Sequence, residues 1–124
     1  MKCFLYYSLL VLTVACTKTS PRSNDRESPT VRVTQPVNNA VVNANLPLTI
    51  TGTVSDNQYI AEIHIHITNL NTGQLLLDVH LYPASAQSTF SQAFTPQAGQ
   101  RYRIQVIARD RSVNEGSETL EISA

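Results

Sequence analysis

Tyr59-Ile-Ala-Glu-Ile-His-Ile-His-Ile-Thr-Asn-Leu-Asn-Thr-Gly-Gln-Leu-Leu-Leu-Asp-Val-His-Leu-Tyr-Pro83 is the stretch that decides the fold. Ala61, Ile63, Ile65 and Ile67 alternate with Glu62, His64, His66 and Thr68, the period of a strand with one buried and one wet face. Asn71-Thr72-Gly73 is a turn signal, and beyond it Leu75, Leu77, Val79 and Leu81 repeat the alternation against Leu76, Asp78, His80 and Tyr82. The stretch reads as a β-hairpin. A three-residue turn at 71–73 with odd positions inward on both strands places His64 opposite His80 and His66 opposite Asp78. All three histidines of the chain then share one outward face.

Working outward, the same period continues on both sides. Val31 and Val33 alternate with Arg32 and Thr34 before Gln35-Pro36, and the pair Val41-Val42 follows a turn-rich Asn38-Asn39. Leu46, Leu48, Ile50 and Val54 alternate with Pro47, Thr49, Thr51 and Thr53, and Asp56-Asn57 breaks the chain before the hairpin. Phe90 and Phe94 mark a further strand, and Pro96-Gln97-Ala98-Gly99 turns the chain. Tyr102, Ile104, Val106 and Ala108 point inward against Arg101, Arg103, Gln105 and Ile107; Leu120 and Ile122 end the pattern. No helical period survives after the amino terminus. About seven short strands in a domain spanning 30–124 predict an all-β, immunoglobulin-like antiparallel β-sandwich.

The amino terminus carries an address. Lys2, the apolar run from Phe4 to Val14 and the small residues before Cys16 describe an export signal over residues 1–15, too short to cross a membrane as a helix. Leu12-Thr13-Val14-Ala15-Cys16 resembles the lipobox of bacterial lipoproteins, although Thr13 stands where the leucine usually falls. The resemblance implies lipidation of Cys16 and a membrane held through that lipid. Without lipidation, Thr13 and Ala15 suit an ordinary signal peptidase and the domain is secreted. Cys16 is the only cysteine left after cleavage, so no internal disulfide supports the fold. Residues 17–29 hold no aliphatic or aromatic side chain and predict a mobile tether with a reach on the order of 20 Å. Lysine plus arginine equal aspartate plus glutamate at nine each, so no summed field draws the chain to nucleic acid.

Val33-Thr34-Gln35-Pro36-Val37-Asn38-Asn39 with Leu48-Thr49-Ile50-Thr51-Gly52-Thr53-Val54-Ser55-Asp56, and Gly99-Gln100-Arg101-Tyr102-Arg103-Ile104-Gln105-Val106-Ile107-Ala108-Arg109-Asp110, resemble the strands of the bacterial Ig-like domains of exported lipoproteins. The resemblance spans the domain and implies a lipid-anchored protein of the bacterial envelope, on its periplasmic or outer-surface side. The sequence departs from that pattern at Val113, where a glycine precedes the asparagine in the family. Tyr102 stands where such sandwiches tie strand to loop through a tyrosine hydroxyl.

Three surfaces offer chemistry. His64, His66 and His80 with Asp78 form a ligand set for zinc or copper on the hairpin face, where Arg101 and Arg103 of the neighbouring strand would oppose a cation. Asp56, Asp110, Asn114 and Glu115 meet at one loop pole and offer hard oxygens to calcium, the lesser ionic candidate. Glu62, Tyr82, Arg101, Arg103 and Ile107 make the mixed aromatic, apolar and arginine surface that interfaces favour. No nucleophile-elbow or other catalytic constellation is present. The reading is an envelope binding or accessory module that meets a protein or glycan through its outer sheet face, with metal capture by the hairpin as the alternative.

Overall fold

In a computed structural model, residues 24–124 are described, and they are all-β. Seven strands run β1 (Thr30–Gln35), β2 (Ala40–Val41), β3 (Leu48–Asn69), β4 (Leu75–Leu81), β5 (Ser85–Phe94), β6 (Arg101–Asp110) and β7 (Glu115–Ser123). The expected break at Asp56-Asn57 is a corner inside one long strand. Before it, β3 pairs with β1 and β5; after it, β3 pairs with β4 and β6. Both layers of the sandwich therefore hang on β3: β1-β3-β5 on one side, β4-β3-β6-β7-β2 on the other. The pairs are antiparallel except β2 with β7, which run parallel over Ala40–Val41.

A carboxylate makes the corner. Asp56 Oδ2 accepts the backbone N–H of Gln58 at 2.9 Å and of Tyr59 at 2.7 Å, satisfying amides that leave the ladder where the pairing shifts between Ser55 and Ile60. The chain loses its strict period there. Ile60, opposite Asp110, is fully buried, and Ala61 bulges between the pairs of Ile60 and Glu62, so Ala61 is only half-buried. Beyond the bulge Ile63, Ile65 and Ile67 enter the core as the alternation predicts.

The core lies between the layers. Ile50, Val54 and Phe90 of the first meet Ile65, Tyr102, Ile104, Val106 and Leu120 of the second. Phe90 lies on Gly52, its direct partner across the ladder, where a Cβ would strike the ring and the Arg32 carbonyl. Tyr102 is buried, stacks edge-on against Phe94 at 4.9 Å, and accepts the Gln97 N–H at 2.8 Å, which is the strand-to-loop tie its position implies. Leu46 and Leu75 depart from expectation. Leu46 precedes β3 and is exposed; Leu75 pairs with Thr68 after a register shift beside the turn, which turns it outward.

The leading segment differs from a free tether over its last residues. Pro29 is buried, and its carbonyl lies so close over Gly116 that a Cβ there would collide with it. Asp25 is hydrogen-bonded to the loop pole by its carboxylate and its carbonyl. The segment seats through Asp25's hydrogen bonds and the packing of Pro29, which a search for aliphatic and aromatic side chains does not find. Residues 1–23, on which the expected export signal, Cys16 and most of the expected tether fall, lie outside the described residues.

Candidate functional site

The hairpin β3–β4 keeps the register expected of it, His64 opposite His80 and His66 opposite Asp78. The turn is closed by Asn69, a buried side chain whose Oδ1 accepts the N–H groups of Asn71 and Thr72, while the Gly73 N–H donates to the Asn69 carbonyl. Gly73 takes φ 75°, which only glycine adopts without cost. That turn fixes the face above it.

On that face imidazoles and carboxylates alternate. His64 Nε2 lies 2.5 Å from Glu62 Oε1, and His80 Nδ1 lies 2.8 Å from the same oxygen. His80 Nε2 then lies 3.0 Å from Asp78 Oδ1, which His66 Nε2 also approaches at 3.1 Å. The His64 and His80 rings are 4.0 Å apart, tilted by 44°. Glu62, His64 and His80 bring one ligand atom each within 4.8 Å of one another. Glu62 is the member of this group that the metal reading of the sequence left out, having been assigned to the contact surface on the same face. His64 Nε2 is buried, with the Glu62 carboxylate as its neighbour. A hydrogen bond to Glu62, and then the charge of Asp78, hold His80 above the usual imidazole pKa. The same bond, with His64 adding to it, holds Glu62 below the usual carboxylate value.

The arginines do not oppose this cluster as expected. Across the ladder from β3, Ile107 faces His64 and Gln105 faces His66, so both immediate neighbours are neutral. Arg103 stands opposite Thr68 at one end of the face; Arg109 stands opposite Glu62 but bonds Glu115, Nε to Oε1 at 2.9 Å, which raises its already high pKa. Arg101 donates to Glu121 at 2.8 Å. Of the expected interface residues, Tyr82 is 69% exposed and Ile107 half-buried, and Arg103 has no ion-pair partner among the described residues.

The loop pole gathers a different set. Asp56 and Asp110 do meet, and Asp25 of the leading segment joins them, one oxygen of each within 4.8 Å of the others. Asn114 points its amide nitrogen at the group, donating to Asp110 Oδ2 at 2.7 Å and to the Asp25 carbonyl at 2.9 Å. Asn57 Nδ2 donates to Asp25 Oδ1 at 3.0 Å. The Glu27 amide and then Asn57 hold Asp25 below the usual carboxylate pKa. Glu115 is absent from the set because Arg109 draws it to the sheet face. Donor hydrogens face Asp25 and Asp110 where a calcium loop would present oxygens, while Asp56 Oδ1 is buried without a hydrogen-bond partner.

The comparisons agree on the architecture. Solved structures that the chain resembles include the fibronectin(III)-like modules of Clostridium thermocellum CbhA, at 23% identity and a TM-score of 0.56, covering 78% of this chain and 46% of that one. A superoxide reductase (neelaredoxin) of Ignicoccus hospitalis aligns at 16% identity and a TM-score of 0.54, covering 77% and 78%. OgpA of Akkermansia muciniphila aligns at 10% identity and a TM-score of 0.54, covering 78% and 29%. At such identities these likenesses concern the fold alone, and the chain spans less than half of the CbhA structure. No curated protein matches the chain. A domain of this class is a generic binding or accessory module. The two layers hung on β3, the tyrosine tie at Gln97 and a family model that matches residues 29–122 lead to one assignment: the chain belongs to the bacterial Ig domain family.

Proposed function

We propose that the chain is an envelope-located accessory module whose outer sheet face captures a divalent transition metal ion, zinc or copper, on the β3–β4 hairpin. The observation that carries the reading is the convergence of Glu62, His64 and His80, one ligand atom of each within 4.8 Å of the others. A buried imidazole nitrogen held against a carboxylate oxygen suits a ligand atom. Two imidazole nitrogens and a carboxylate oxygen match zinc and copper chemistry and leave an outward position open to water or to a partner's group. Neutral Ile107 and Gln105 beside the histidines remove the electrostatic objection that the sequence raised.

Calorimetric titration of the full chain with zinc and with copper(II), beside a Glu62→Gln, His64→Ala double variant, tests this. Binding in the micromolar range or tighter that weakens roughly ten-fold or more in the variant is expected. Equal binding by both proteins would overturn it. Cys16 lipidation completes the proposal: the mature protein should carry a lipid mass that Cys16→Ala loses, and an unmodified cysteine would make it a secreted module instead.

A second reading rests on Tyr82 and Arg103, one highly exposed and the other without an ion-pair partner among the described residues. An aromatic and an arginine on one face suit a protein or glycan contact. Alanine at both positions should abolish retention on the envelope protein or glycan concerned, and unchanged retention would rule the face out.

A further inference from the structure

Two side chains expected as ligands stand outside the group that converges on the hairpin. Among the described residues the ligand atoms of Glu62, His64 and His80 come together, and His66 and Asp78 are not in that group. Asp78 lies instead at the other nitrogen of the His80 ring. The two residues are two apart on β4, so their side chains project from one face of the strand. His80 turns Nδ1 to Glu62 Oε1 at 2.8 Å and Nε2 to Asp78 Oδ1 at 3.0 Å. His66, opposite Asp78 across the ladder, brings its own Nε2 to that same Asp78 oxygen at 3.1 Å. Asp78 Oδ1 is thus shared by two imidazoles.

A neutral imidazole has one nitrogen that donates and one with a free lone pair, and a carboxylate only accepts. To bond Asp78, Nε2 must carry the proton, which leaves on Nδ1 the lone pair that an ion takes. Glu62 pulls the other way, because its oxygen draws the proton to Nδ1 while no ion is bound. We infer that Asp78 is a positioning residue of the metal site: it holds the His80 proton on Nε2 and so presents Nδ1 to an ion shared with Glu62 and His64. The inference rests on the metal reading above and gives Asp78 a part in it without contact to the ion. His66 braces Asp78 through the shared oxygen. Metal-bound histidines commonly carry such an acceptor on the nitrogen turned away from the ion, and its loss weakens metal binding by about 10–100-fold.

Calorimetric zinc titration, with imidazole nitrogen NMR of the zinc-loaded, isotope-labelled full chain, tests this on the wild type and Asp78→Ala. In the wild type the His80 ring should show zinc on Nδ1 and, on Nε2, a proton slow to exchange with water. In Asp78→Ala that proton should exchange freely, and zinc should bind roughly ten-fold or more weakly. Asp78 is 45% exposed at the side chain, so its truncation leaves the core intact, and circular dichroism checks that the variant retains the β-sandwich. Unchanged zinc affinity in Asp78→Ala, or zinc on Nε2 of His80 in the wild type, would overturn the positioning role and leave the metal reading standing. So would weaker binding with the Nε2 proton still slow to exchange, because Asp78 would then act through its charge alone. No zinc bound by the wild type would overturn both.

Discussion

Val113 shows how one residue can be at odds with its loop. It stands where the family carries glycine, and it adopts φ 67°, a left-handed conformation that strains a β-branched side chain by about 1–2 kcal/mol. It is 69% exposed, so no core contact compensates. Val113→Gly should therefore stabilise the domain by about 1 kcal/mol, a rise in melting temperature of roughly 4–8 °C by calorimetry. Unchanged or lower stability would show that the loop relaxes around valine. Glu62 is the second test at this scale. His80, held above its ordinary pKa, stabilises the fold at low pH and loses that contribution as pH rises through its folded value. Glu62, held below its own, stabilises at higher pH and loses the contribution as pH falls through its folded value. Both are charged together in mildly acid solution. The melting difference between the metal-free wild type and Glu62→Gln should be largest between about pH 5 and 6.5 and shrink on either side. A difference that does not vary with pH would mean the pair contributes through packing alone.

At the scale of elements, most of the hairpin was legible before folding. The alternation of Ile63, Ile65 and Ile67 with His64 and His66, and the glycine at 73, set its faces and register, because side-chain direction in a strand has a fixed period of two. What escaped was each place where that period is interrupted. Ala61, Leu75 and the Asp56 corner all sit at register shifts, and a bulge depends on which strands pair on either side. Asp56 reads in sequence as an ordinary turn residue; in the fold it holds two amides at the point where β3 leaves one layer for the other. Asp56→Ala should cost roughly 1–2 kcal/mol in denaturant unfolding, since the exposed Gln58 N–H and the partly buried Tyr59 N–H lose their acceptor. A loss below about 0.5 kcal/mol would mean that water replaces the carboxylate there.

For the whole molecule, the surprise is that the domain begins before its first strand. Asp25 and Pro29 dock on the loop pole and on Gly116, so the segment leading out of the domain is part of its surface. Gly116→Ala forces Pro29 away and should raise amide exchange in residues 24–29 well above that of the wild type while β6 and β7 keep their protection. Equal exchange would show that the segment does not depend on that seat. By itself, the amino-acid sequence determined the all-β class, the inward residues of most strands, the tyrosine tie and the sharing of one face by three histidines. These follow from local rules of period and turn chemistry. Tertiary structure decided the rest: that β3 serves both layers, that Ile107 and Gln105 rather than arginines flank the histidines, that Glu62 joins them, and that Asp25 closes the loop pole. Each of those depends on the pairing register between strands or on contacts between residues far apart in the chain, and the local periodicity of a single sequence does not encode either.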